Sequence, residues 1–231
     1  MHRLWTYRTY ANTKKWGILC GILAPIIFFT SVLLAASLQD GYSHCTNYMS
    51  ELGATGLHHA YVMKLGGFFI TSIMLIIYSI IFPSTIEYKG KAKTIAFFTL
   101  LTHAIFLNGA GVFSCDLGCS PANPTPDQNL HDFFGAITIF ILPISIMTWG
   151  YVFSKSSEEW TNKVKVFSYA CGIIGLISYI AMMISDETRA GTGLFQRLSL
   201  GSSYFWIFVV SILAYRNLDL PINSTKGQSE R

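Results

Sequence analysis

Between residues 114 and 132 the chain reads SCDLGCSPANPTPDQNLHD. Cys115, Asp116, Cys119 and His131 can move protons, hold metals or form covalent bonds, and they crowd into one short stretch. Two other stretches carry the same kinds of residue: QDGYSHCTNYMSELGATGLHHA over 39–60 and DETRAGTGLFQR over 186–197.

Several chemistries fit these residues. Cys115 and Cys119 could close a disulfide around Gly118, and Cys45 bridged to either would tie two segments together. Free thiols and a metal site stay open as alternatives. Zinc takes nitrogen, sulfur and oxygen donors in tetrahedral sets, and His44, Cys45, Cys115, Asp116, Cys119 and His131 all offer one. No C-x-x-C, H-x-x-x-H or H-E-x-x-H is present, so the sequence assigns no metal and no cofactor; zinc is the ion these donors would suit. Ser50, Asp116 and His131 supply the residue types of a nucleophile, an orienting acid and a base. The G-x-S-x-G signature of many hydrolases is missing. Arg197 stands near Asp116, Glu51, Asp186 and Glu187 on the same expected face. It either forms an ion pair with Asp116 or Glu51, or binds an anionic lipid headgroup.

The elements that must position these residues follow from composition. Charged residues make up 12% of the 231-residue chain and hydrophobic ones 52%, against about 25% charged in soluble proteins. A chain this apolar needs a bilayer rather than a larger core. It has no basic block suited to nucleic acid. Six apolar runs reach the ~20 residues that a spanning helix requires: 16–38, 61–82, 94–113, 133–153, 166–185 and 198–215. Pro25 and Pro143 fall inside spans, where kinks rather than breaks are expected. His103 and Asn108 lie within the third span and are expected to bond to neighbouring helices. SSEE at 156–159 reads as a capping box opening the fifth helix.

Thirteen of the sixteen Lys and Arg fall in the two tails and the second and fourth connections. Short cytoplasmic segments are the ones that concentrate Lys and Arg. Both termini are therefore expected in the cytoplasm, with the three chemically rich segments outside. The organisation expected is a cytoplasmic or interfacial N-tail over 1–15, a six-helix transmembrane domain over 16–215 and a polar cytoplasmic tail over 216–231.

GYSHCTNYMSELGATG at 41–56, VFSCDLGCSPANPTPDQNLH at 112–131 and GTGLFQRL at 191–198 resemble a family of six-helix prokaryotic membrane proteins catalogued as domain of unknown function 998. The resemblance covers about 15–215 and singles out Tyr42, Ser43, Ser50, Glu51, Leu52, Gly53, Asp116, His131, Gln196 and Arg197. It implies the cytoplasmic membrane of a prokaryote but no activity. More distantly, the SELG segment and the helix count resemble the Frag1/DRAM group, some of whose members are linked to lipid remodelling.

The reading is an all-α integral membrane bundle with an outer polar pocket that binds a lipid headgroup or small amphiphile. His131, Asp116 and Ser50 are its candidate catalytic residues, and Glu51, Gln196, Arg197, Tyr42 and Ser43 its candidate binding residues. Membrane lipids are the expected partners. A lipid-modifying hydrolase or transferase is the alternative, and a small transporter ranks last because no internal repeat is visible.

Overall fold

The computed structural model describes residues 2–119 and 122–218, giving the backbone alone for 2–11 and Glu159. Most of the expected polar C-tail therefore lies outside the described residues. Apolar runs this long can satisfy their backbone groups in lipid only as helices, and six helices form, each long and apolar enough to cross a membrane. Helix α1 is His2–Ser37. Helix α2 comprises Ala60–Val62, a wider-wound π segment Met63–Ile70, and Thr71–Ile81. Helices α3, α4, α5 and α6 are Lys91–Val112, Pro126–Ser154, Glu159–Ser185 and Thr192–Leu218. A 3-10 turn, Met49–Gly53, lies in the first connection.

The helices agree with the apolar runs in their middles and differ at their ends. Helix α1 continues back to His2, so the segment expected as a separate N-tail shares the backbone of the first span. Helix α4 starts at Pro126, ahead of the apolar run, because its N-terminus is built locally. The Thr125 hydroxyl accepts from the Gln128 N–H at 3.2 Å, Pro126 takes the first turn, and Asp127 follows it. Thr at the cap, Pro next and an acid in the first turn favour a helix start on three separate grounds. Gln128, His131 and Asp132 thus belong to a helix rather than a loop. The expected capping box at Ser156 is not what opens α5: Glu158 holds the cap position, and its carboxylate accepts from Glu87 N–H at 2.7 Å across the end of the bundle. Pro25 and Pro143 sit inside continuous helices.

Each helix packs on its neighbour in the chain, and α6 returns to α1, closing a ring. The outside of the ring is apolar, with Leu33, Ile80, Phe98, Ile177, Ile184 and Phe205 all exposed. Faces of this kind would be a liability in water and are the expected surface in lipid. The connections 38–59, 113–125 and 186–191 share one end of the ring, called here the loop end; 82–90 and 155–158 share the other. Near that second end, Phe82, Trp149, Phe153 and Trp206 are fully buried and pack edge-to-face or stacked.

The π segment of α2 was not legible in the hydropathy. It carries Gly66 and Gly67, and a Cβ on Gly66 would stand 2.1 Å from the Ser31 hydroxyl of α1. The missing side chain lets α1 and α2 approach there, while Thr71 Oγ1 donates to the Gly66 carbonyl at 2.7 Å, occupying an acceptor in the altered winding.

Candidate functional site

The loop end is a clasp over a cavity. The clasp begins with Cys115 and Cys119, which form a disulfide, while Cys45 is free and exposed. Asp116 between them accepts from the backbone N–H and the hydroxyl of Thr125, at 3.0 and 2.9 Å. Its own N–H donates to Gln128 Oε1 at 2.8 Å. The segment is thereby folded onto the first turn of α4. The first connection joins it through Thr55 N–H, which donates to the Cys115 carbonyl at 2.8 Å.

Glu51 is the hub of the clasp. Its carboxylate accepts from Asn47 Nδ2 at 2.7 Å, from Tyr48 N–H at 2.9 Å and from the Arg189 guanidinium at 2.9 Å. Arg189 also donates to the Gly118 carbonyl at 2.7 Å and lies over the Tyr48 ring. One guanidinium therefore holds all three connections of the loop end. The ion pair expected between Arg197 and Asp116 or Glu51 is not the one formed: Arg189 takes Glu51, and Asp116 turns to Thr125.

Arg197 is engaged elsewhere. It donates to the carbonyls of Asn47 and Gly193, at 3.0 and 2.8 Å, and to the Tyr42 hydroxyl and His44 Nδ1. Tyr42 in turn donates to the Tyr48 carbonyl at 3.0 Å, and the Ser43 hydroxyl accepts from Cys45 N–H at 3.3 Å. Burial raises the Tyr42 phenol to about 12, against the opposing pull of Arg197, so the phenol remains a donor at neutral pH. A Cβ on Gly193 would stand 2.3 Å from the Asn47 carbonyl. Glycine there lets the first connection cross the start of α6 and reach Arg197.

Beneath the clasp is a cavity of about 350 Å³ to which all six helices contribute. Its inner walls are mainly apolar, formed by Phe28, Met63, Phe68, Leu107, Ile139 and Leu200, with Thr138 the polar exception, its hydroxyl donating to the His103 carbonyl at 2.8 Å. Its loop-end rim is polar, formed by Ser50, Gln128, His131, Asp132, Asp186 and Gln196. Among the described residues, no Lys or Arg lines it. Tyr48 donates to Asp186 at 2.5 Å, and Gln196 Oε1 accepts from Met49 N–H at 2.6 Å, which orients the rim. Burial and the bond to Asp186 both push the Tyr48 phenol upward, so it too stays protonated.

His131 is buried at 5% exposure, and its Nδ1 lies 2.8 and 2.9 Å from the carbonyls of Ala110 and Phe113. Carbonyl oxygens only accept, so Nδ1 carries a proton and, in the neutral ring, Nε2 holds the lone pair. No described residue hydrogen-bonds to Nε2. The imidazole is thus oriented by main chain rather than by Asp116. Ser50, at the rim, places its hydroxyl 3.6 Å from Cys119 Sγ. His131 and the two cysteine sulfurs offer ligand atoms within 4.8 Å of one another.

Of the residues singled out in the sequence, Ser50, His131 and Gln196 meet at the cavity, whereas Asp116, Glu51, Arg197, Tyr42 and Ser43 build the clasp. Tyr48, Gln128, Asp132 and Arg189 were not singled out, and Asp186 was named only as a carboxylate on the face of Arg197, although the Thr-Pro-Asp start of α4 was a readable sign that Gln128 and Asp132 stand on a helix face with His131. His103 and Asn108 bond between helices as expected, to the Thr138 carbonyl and the Ser72 hydroxyl, each at 2.9 Å.

A family model described as a protein of unknown function (DUF998) matches residues 22–213, from within α1 to within α6. No curated protein and no solved structure matches the chain.

Proposed function

The chain belongs to this DUF998 family of multi-pass membrane proteins, and we propose that it binds one amphiphile, its apolar tail inside the helix ring and its polar head at the rim. The observation that carries this reading is the gradient along the cavity, from Phe68, Leu107 and Leu200 within to Ser50, His131 and Asp186 at the rim. A volume of about 350 Å³ is at the low end of small-molecule sites, roughly 300–1,000 Å³. It suits a single chain or a compact amphiphile. Asp132 and Asp186 supply carboxylates, and no described Lys or Arg lines the cavity, so an uncharged or cationic head is favoured over an anionic one. The distribution of Lys and Arg supports an outward-facing loop end and cytoplasmic termini, and hence a head drawn from the outer leaflet.

The test uses Gly135, which lines the cavity and whose Cβ would meet nothing within 4 Å. The protein is purified into nanodiscs of bacterial lipid, and bound amphiphiles are weighed by native mass spectrometry. Gly135→Phe, whose Cβ meets no neighbour, puts an aromatic ring into this space and is expected to cut bound amphiphile at least tenfold. Equal occupancy in the wild type and the folded variant would overturn the reading.

A second reading, modification of the bound lipid, has one observation in its favour: the bonds at Nδ1 leave the His131 Nε2 lone pair free, and His131 and Ser50 both line the cavity. It predicts that His131→Gln keeps the bound amphiphile but abolishes its conversion.

A further inference from the structure

We propose that Cys115, Cys119 and His131 form a zinc site when the disulfide is reduced, with the fourth coordination position opening onto the cavity. The proposal stands on these three side chains and does not depend on what the cavity binds. Among the described residues they are the one group of three His, Cys, Asp or Glu side chains close enough to share an ion. All three are buried, at 0, 6 and 5% exposure.

Three features suit a metal rather than a chance cluster. The first is the histidine. Its Nδ1 is fixed by the Ala110 and Phe113 carbonyls, the outer-shell arrangement that sets the tautomer of a metal-bound imidazole and leaves Nε2 as the ligand. The second is polarity around the sulfurs. The Ser50 hydroxyl lies 3.6 Å from Cys119 Sγ, where it can donate to a thiolate. The third is charge. Two thiolates and a neutral imidazole around Zn²⁺ sum to zero, and a neutral cluster is the one least penalised by burial. Cu⁺ in the same set would leave a buried negative charge, while Ca²⁺ and Mg²⁺ prefer oxygen donors. Three protein ligands with one position open is the pattern of catalytic rather than structural zinc. Because Cys119 and His131 both line the cavity, the open position faces whatever enters it.

The disulfide and the metal exclude each other. An external dithiol would reduce the bond, passing two electrons and two protons to the sulfurs and leaving as a disulfide itself. Zinc binding then releases the two thiol protons to solvent. The site is thereby loaded only in the reduced protein.

The experiment is a Co²⁺ titration of the full chain in detergent, after stripping with a chelator, with and without a phosphine reductant. Reduced wild type is expected to bind one Co²⁺ per chain, with thiolate-to-cobalt charge-transfer absorption and tetrahedral d–d bands that Zn²⁺ erases. Oxidised protein should bind none. Cys119→Ser should weaken binding at least 100-fold and His131→Ala about 10- to 100-fold, whereas Cys45→Ser, which alters an exposed thiol outside the site, should change nothing. Circular dichroism and thermal melting establish that each variant is folded. Folded, reduced wild type without these bands overturns the proposal, as does binding that is equal in oxidised protein or in His131→Ala. The titration contains no amphiphile, so its failure and that of the amphiphile reading are separate results.

Discussion

The two ends of the helix ring are held together by different forces. At the end opposite the loops, Phe82 packs against Tyr78, Trp149, Phe153 and Trp206, with Phe82–Tyr78 and Phe82–Trp149 centroids 4.9 and 4.8 Å apart. Trp206 donates to the Ser168 hydroxyl at 2.7 Å. That end is close-packed and short in its connections. At the loop end the helices part around a cavity, and cohesion comes instead from Glu51, Arg189, Arg197 and a disulfide. A ring of helices can leave space at one end only where something else holds that end together. The polar clasp does so without filling the cavity, because its bonds join the connections to one another and to the starts of α4 and α6 rather than crossing the bundle.

This contrast can be broken one end at a time. The largest effect on stability is expected from Phe82→Ala, a fully buried ring at the centre of the aromatic cluster. Truncations of this kind cost about 3–5 kcal/mol, measurable by denaturant unfolding in detergent, and amphiphile occupancy should survive in the fraction that remains folded. Next is the paired substitution Cys115→Ala with Cys119→Ala. The disulfide spans a sequence separation of 4, and closing so short a loop is worth about 2 kcal/mol in chain entropy. Stability should fall by about that much, with the aromatic near-ultraviolet circular dichroism of the opposite end unchanged.

Arg189→Met comes third. It removes one of the donors to Glu51 and leaves the Asn47 and Tyr48 donors in place, so about 1 kcal/mol is expected. Local loosening should appear as faster hydrogen exchange at Gly118 and Tyr48 but not at Trp149. Gly135→Phe, the cavity test, should leave stability level or raise it by up to about 1 kcal/mol, since glycine is a poor helix residue. A loss larger than 2 kcal/mol would mean that the space is not open and would blur the distinction between the ends.

The smallest effect is a pH dependence. Partial burial, then the charge of Arg197, lowers the His44 pKa below its ordinary value. Between the lowered value and about 6.5, the unfolded chain binds more protons than the folded one, so stability falls as pH drops through that window. The melting temperature should decline slightly from pH 7.5 to 5.5, and His44→Gln should flatten that slope.

The helices were legible because a bilayer imposes a minimum length of apolar residues and forbids unpaired backbone groups, so the six runs could be read directly. Their ends were harder. The first turns of α4 and α6 are polar and sit outside the apolar runs; Gln128, His131 and Asp132 read as loop until the Thr125 cap and Pro126 are given their weight. The candidate site was legible in part. The residues at the rim were gathered into the right three segments, since His131, Ser50 and Gln196 share one face of the spans. The pairings within those segments were not. Arg189 and Arg197 are both Arg at the same end, and which of them meets Glu51 depends on how the connections cross.

Taken alone, the sequence determined an all-helical chain with six membrane-length helices and chemically active residues concentrated in three connections, because hydropathy and helix length are local properties. Tertiary structure decided that the ring closes α6 on α1, that Arg189 rather than Arg197 holds Glu51, and that the His131 imidazole is oriented by the carbonyls of α3 and its end. Those outcomes depend on distances between residues far apart in the chain. Such distances are set by packing across the bundle, which no local pattern records.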